Sequence, residues 1–147
     1  MKYGKLRTLR GQITVAGGTG RKNIIVSDGL VNHGLIVRSF KIWNDQLLSA
    51  TTRNHTAILS LDTISVGTSM DAADNRQIAW NVQLINTTVG VSFQQSIIDP
   101  NHIVNRDLFL TFMQSSNVTY NYLIECQVVE LSDDEAIITI IKETSQS

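Results

Sequence analysis

Between residues 78 and 98 the chain alternates. Ile78, Trp80, Val82 and Leu84 are separated by Ala79, Asn81 and Gln83, and Val89, Val91, Phe93, Gln95 and Ile97 keep the same beat. A two-residue period puts alternate side chains on opposite faces of an extended strand, so this stretch predicts two half-buried strands joined near Asn86-Thr87-Thr88. The period returns in Leu108, Leu110 and Phe112, and again from Val118 through Tyr120, Tyr122, Ile124, Cys126 and Val128. Short strands are expected at Gln12–Ala16 and Asn23–Ser27, a longer one at Leu35–Trp43, and another short one at Ala57–Leu61. In the third of these, Ile36, Arg38, Phe40 and Ile42 should share a face, leaving Trp43 out of phase. Turn residues separate the segments: Gly17-Gly18-Thr19-Gly20, Asp28-Gly29, Asn44-Asp45 and Asp99-Pro100-Asn101. Residues 67–77 read as a polar loop with a helical turn at Ala72-Ala73. About eight strands with no helices between them predict an all-β fold, an antiparallel β-sandwich in one domain over 1–147.

Two ends break the alternation. Ser132-Asp133-Asp134-Glu135 has the form of a capping box, with Ser132 as the N-cap and Glu135 three residues on. Ala136, Ile137, Ile140 and Ile141 then fall on one helical face, which predicts a short C-terminal helix over 133–143. Residues 1–10 are basic and weakly patterned, and are expected to form an N-terminal arm ordered by contact.

Composition sharpens this reading. Ile, Val and Thr supply 43 of 147 residues, and such branched side chains suit a pleated surface. Charged residues are 17% of the chain, while Asn, Gln, Ser and Thr number 47. A neutral polar surface is easier to desolvate against another protein than a charged one, which favours a subunit of an assembly. The net charge of -1 hides an asymmetry. Residues 1–27 carry Lys2, Lys5, Arg7, Arg10, Arg21 and Lys22 with no acid, whereas residues 125–147 sum to -5. The basic end should meet the acidic end of its own or a neighbouring copy; contact with nucleic acid is the other option. No run of 18 apolar residues is present, so no transmembrane helix is expected, and the first residues lack the apolar core of a signal peptide.

Candidate chemistry is sparse. Gly17 to Lys22 fails the phosphate-loop spacing, because no Ser or Thr follows the lysine and a strand is expected next. His33, His55 and His102 are far apart and lack ligand spacing, so no metal site is expected. Ser69 sits outside any nucleophile elbow. Cys126 lies in an apolar strand and reads as a buried, inert thiol. No catalytic, cofactor or metal residues are assigned, and the chain is expected not to be an enzyme. Among the aromatics, Trp80, Phe93, Phe112, Tyr120 and Tyr122 fall on the apolar beat and are expected in the core, while Trp43 is the best candidate for exposure.

Two stretches carry a resemblance: Ile98-Asp99-Pro100-Asn101-His102-Ile103-Val104-Asn105-Arg106-Asp107-Leu108, and the run from Asn121-Tyr122-Leu123-Ile124-Glu125 through Leu131-Ser132-Asp133-Asp134-Glu135-Ala136 to Lys142-Glu143. Together they resemble small jelly-roll or β-sandwich virion proteins of bacterial and archaeal viruses. The resemblance implies a structural capsid, vertex or cement protein, made in the host cytoplasm and resident in the virion. It would self-associate as a trimer or pentamer and touch other capsid proteins. Interface candidates are Lys2, Lys5, Arg7 and Arg10 of the arm, Trp43, and Asp133, Asp134 and Ile138 of the helix. The alternative is a ligand-binding β-sandwich, such as a carbohydrate-binding or host-attachment module, reading its ligand through residues 67–77 and Trp43.

Overall fold

The computed structural model describes residues 1–15, 19–26, 32–45, 52–64, 69–86, 88–114 and 118–145. Eight strands and one helix follow in order: β1 (Lys2–Val15), β2 (Thr19–Ile24), β3 (His33–Asn44), β4 (Thr52–Ser60), β5 (Gln77–Asn86), β6 (Val91–Ile98), β7 (Leu108–Gln114), β8 (Val118–Glu130) and α1 (Asp133–Ser145). They form two antiparallel sheets, one ordered β1-β8-β3 and the other β2-β7-β4-β5-β6, packed face to face as an all-β sandwich. The expected turns at Gly17-Gly18 and Asp28-Gly29 lie outside the described residues.

The pairing follows a rolled ribbon. β1 runs along β8, β2 along β7 and β4 along β5. A jelly roll completes that series by pairing β3 with β6. Here β6 stays beside β5, and the seam between β3 and β6 is bridged by side chains. Ser96 Oγ and Asn81 Nδ2 both donate to the Phe40 carbonyl, at 2.5 and 3.3 Å, and Gln94 Nε2 donates to the Ile42 carbonyl at 2.9 Å. Gly90, with φ at +71°, makes the β5–β6 turn.

One cluster fills the sandwich, including Val15, Phe40, Ile42, Leu59, Leu110 and Ile124. The Phe112 and Tyr120 rings stack within it, centroids 5.1 Å apart. Cys126 is fully buried there, and desolvation pushes its thiol up to about 11 despite the nearby charge of Arg7. A second cluster lies behind the first sheet, where Ile36 and Val129 point outward and meet Leu131, Ile103 and Ala136. The chain approaches closely here. Leu35 and Val104 exchange two backbone hydrogen bonds of 2.7 Å, and a Cβ on Gly34 would sit 2.7 Å from the Ile103 side chain.

Three expectations are corrected. Residues 1–10 are no arm. They are the first half of β1, paired with β8 from Lys2 opposite Glu130 onward, with an irregularity between Tyr3 and Leu6. In β3 the register shifts between Val37 and Ser39, so Leu35 and Val37 share the inner face with Phe40 and Ile42, and Ile36 points the other way. Residues 71–74 form a turn held by Asp71, whose Oδ1 accepts from the Ala73 N–H at 2.9 Å, in place of a helical turn. The helix forms where the capping box placed it. Glu135 N–H donates to Ser132 Oγ at 3.2 Å, and Ser132 N–H donates to Glu135 Oε1 at 3.1 Å.

Candidate interaction surface

The cross-strand registers fix which side chains share a face. In the five-stranded sheet the inner rows run through Phe112, Ala57, Asn81 and Ser96, and through His55, Gln83 and Gln94. The outer rows run through Thr111, Ile58, Trp80 and Ile97, through Met113, Thr56, Val82 and Gln95, and through Asn54, Leu84 and Phe93. At the β5–β6 end the sheet is therefore inverted, with amides and a hydroxyl facing β3 and the apolar side chains facing outward.

This inversion has a structural cause. β3 is an edge strand, and its outer carbonyls at Phe40 and Ile42 need donors, which the inner row of β5 and β6 supplies. His55 belongs to the same network. It is 2% exposed, its Nε2 is 2.9 Å from Asn81 Oδ1, and Tyr120 meets its ring edge-on at 4.9 Å. Burial lowers its pKa from the ordinary value near 6.5, and Asn81 and Gln83 oppose that shift. Gln83 is near enough to act on the ring, yet His55 Nδ1 and Gln83 Oε1 are both buried without a hydrogen bond of normal length. A neutral ring fits this site better than a charged one.

Among the described residues, only the β2 end of the outer face is covered. Ile58, Thr111 and Ile64 are buried, and Arg21, opposite Thr111 in the ladder, donates to the Ile64 carbonyl. Toward β6 the face is open. Leu84, Phe93 and Ile97 are 41%, 48% and 48% exposed. Leu84 and Phe93, with Val82, Thr56 and Met113, line a shallow groove of about 680 Å³, which continues past Val82 into a hollow of about 300 Å³ beside Trp80, Met70 and Ile97. Among the described residues, no Asp, Glu, Lys or Arg lines either one. The adjoining loop is pinned. Arg76 grips Asp74 through two bonds of 3.0 and 2.9 Å, which holds the Asp74 carboxyl below the usual carboxylate range. Trp80 Nε1 donates to Gln77 Oε1 at 2.8 Å.

A second apolar surface lies on α1. Ala136 and Thr139 are buried, whereas Ile137, Ile138 and Ile141 are 56%, 52% and 58% exposed, and Ile140 is 41% exposed. The first turn ties the helix down. Asn32 Nδ2 donates to Asp133 Oδ1 at 2.7 Å, and the Met1 amine lies 2.9 Å from Glu135 Oε1. That amine, followed by the Ser132 N–H, holds the Glu135 carboxyl below its ordinary pKa.

The expected interface residues are scattered. Ile138 lies on the exposed helix surface and Asp134 is exposed beside it, while Asp133 is engaged by Asn32. Lys2, Lys5, Arg7 and Arg10 lie along the β1 edge, where charge discourages pairing with another sheet. Arg7 also donates to the Val26 carbonyl at 3.2 Å. Lys2 stands opposite Glu130 in the ladder and the Met1 amine pairs with Glu135, both within one chain. Trp43 is exposed as expected, at 46%. It faces out from the three-stranded sheet, opposite Asn121, whereas residues 69–77 lie beside Trp80 on the other side of the sandwich. Trp43 and that loop do not converge on one ligand.

Trp80 and Phe93, expected in the core, belong to the open face. Sequence alternation separates two faces but does not say which is inside. One signal was available: neither β5 nor β6 contains a charged residue, so neither of their faces is marked as solvent. Among the described residues, no group of three or more His, Cys, Asp or Glu side chains is arranged to hold a metal, and no helix is long and apolar enough to cross a membrane. Comparisons with protein-family models, with curated proteins and with solved structures find no match for this chain.

Proposed function

We propose that this protein is a structural subunit that acts by self-association, with the role of a capsid, vertex or cement component of a virus particle. One observation carries the proposal: the sandwich presents uncharged apolar side chains on two opposite faces, at Leu84, Phe93 and Ile97 behind one sheet and at Ile137, Ile138 and Ile141 behind the other. Contiguous apolar surface of this kind marks sites that are covered in use. The resemblance of the last third of the chain to virion proteins supplies the setting, and the jelly-roll winding is compatible with it.

The test is light scattering coupled to size-exclusion chromatography, run over a concentration series. Self-association predicts a mass that rises with concentration to a multiple of 16.3 kDa. A mass that stays at one chain throughout the series overturns the proposal.

A further inference from the structure

We infer that the outer face of the three-stranded sheet, with its β1 edge, binds single-stranded nucleic acid. This goes beyond the proposed self-association and does not depend on it. The cross-strand registers put Tyr3 in line with Val129 and Gly34, Arg10 with Leu123 and Lys41, and Gln12 with Asn121 and Trp43. Tyr3 and Trp43 therefore share one face, where they are 61% and 46% exposed, and Arg10 and Lys41 lie between them. Lys5 and Arg7 are exposed along the adjoining open edge of β1.

Two features select the ligand. The first is charge. β1 and the neighbouring edge strand β2 carry Lys2, Lys5, Arg7, Arg10, Arg21 and Lys22 and no Asp or Glu. Lys2 stands opposite Glu130, but among the described residues no carboxylate pairs with Lys5, Arg7 or Arg10. Arg7 donates to the Val26 carbonyl, which leaves its charge unneutralised. The nearby acids are engaged or lie at the ends of the track. Glu125 is 3.7 Å from Lys41, and Asp107 accepts from the Val26 N–H. The acidic first turn of α1, with the exposed Asp134, lies at the Tyr3 end beside Met1, and Asp45 lies at the Trp43 end. Three unpaired cations on one exposed strand attract a polyanion rather than a neutral sugar. The second feature is the pair of rings. An exposed ring takes a base by its face, which a single strand offers and a duplex keeps stacked. An acidic side chain offers no such face. Tyr3 and Trp43 are opposite Val129 and Asn121, which sets them about 26 Å apart along the strands, room for the short end of the roughly 4–16 nucleotides that such sites take.

Fluorescence anisotropy of a labelled oligothymidylate, with the full chain, tests the site. An abasic oligomer of the same length is the control, since it keeps the phosphates and lacks the bases. The abasic oligomer should bind at least fivefold more weakly, about the share of one stacked base. Phosphate contacts from Lys5, Arg7 and Arg10 predict that affinity falls about twentyfold from about 50 to 200 mM salt, and only about sevenfold in Arg10→Gln. Tyr3→Ala and Trp43→Ala should each weaken binding about fivefold or more, with melting midpoints unchanged. No binding at the lower salt overturns the inference. Equal affinity for the abasic oligomer also overturns it, and reassigns the cations to polyanions at large, an acidic protein surface among them. Unchanged affinity in both aromatic variants moves the site off this face and overturns it as well. Self-association is read separately, from the mass, so either proposal can fail alone.

Discussion

Asn81 joins three parts of the interior, so its removal should cost more than one hydrogen bond. It is 1% exposed, its Oδ1 meets His55 Nε2 at 2.9 Å, and its Nδ2 donates to the Phe40 carbonyl at 3.3 Å. In Asn81→Ala the Phe40 carbonyl keeps Ser96, so that loss is about 1 kcal/mol. The His55 nitrogen is left buried without a partner, which adds about 1–3 kcal/mol. The expected total is about 2–4 kcal/mol. Replacing the histidine as well, in His55→Phe, removes the orphaned group, and the same Asn81→Ala change should then cost only about 1 kcal/mol. Urea unfolding followed by circular dichroism at pH 8, on the four members of this double-mutant cycle, measures the coupling. A value of about 1–3 kcal/mol is expected. Additive losses, with no coupling beyond error, would refute the account of His55 and Asn81 as one buried network.

Further predictions follow from the same interior and from the helix. Because burial lowers the His55 pKa, the unfolded chain takes up a proton below pH 6.5 that the folded ring resists. Stability should therefore be level above that pH and decline as the pH falls toward the lowered folded value, and His55→Phe should flatten this part of a urea-midpoint profile. With its thiol pushed up to about 11 and no exposure, Cys126 should resist a thiol-specific reagent at pH 8 in the native protein and react fully in denaturant. Ser132→Ala breaks the capping box and should lower stability by about 1 kcal/mol, read by thermal melting with circular dichroism.

The sandwich was legible because its strands carry a two-residue period, and the helix because Ser132 and Glu135 stand three apart before an apolar run. What stayed hidden shares one physical feature, since each case depends on a neighbouring strand. The first half of β1 carries few apolar residues, so nothing in its pattern marks it as a strand. Its backbone pairs with β8 all the same, because a ladder of amide bonds does not need an apolar side chain at every step. A single irregularity after Val37 reverses the faces of β3, and one unpaired residue leaves no trace in composition. For β5, Ile78 lies in the core as expected, but Ala79 lies there too because the register shifts beside it, and from Trp80 to Leu84 the face expected inside points out. The exposed apolar residues were hidden with it: Ile138 was expected on the exposed side of the helix, whereas Leu84, Phe93 and Ile97 were masked by their resemblance to core.

The seam and the open face come from one departure. Had β6 lain beside β3, backbone N–H groups would have met the Phe40 and Ile42 carbonyls, and the inner row of β5 and β6 could have been apolar. With β6 held on β5, those carbonyls require side-chain donors, and Asn81, Gln94 and Ser96 must face inward. Alternation then sends Trp80, Val82, Leu84, Phe93 and Ile97 outward. Polar replacements on that outer row would leave every bond of the seam intact, so the fold itself does not demand apolar residues there. The proposed self-association accounts for their presence, and it draws on this face more firmly than on the charge of the chain's ends.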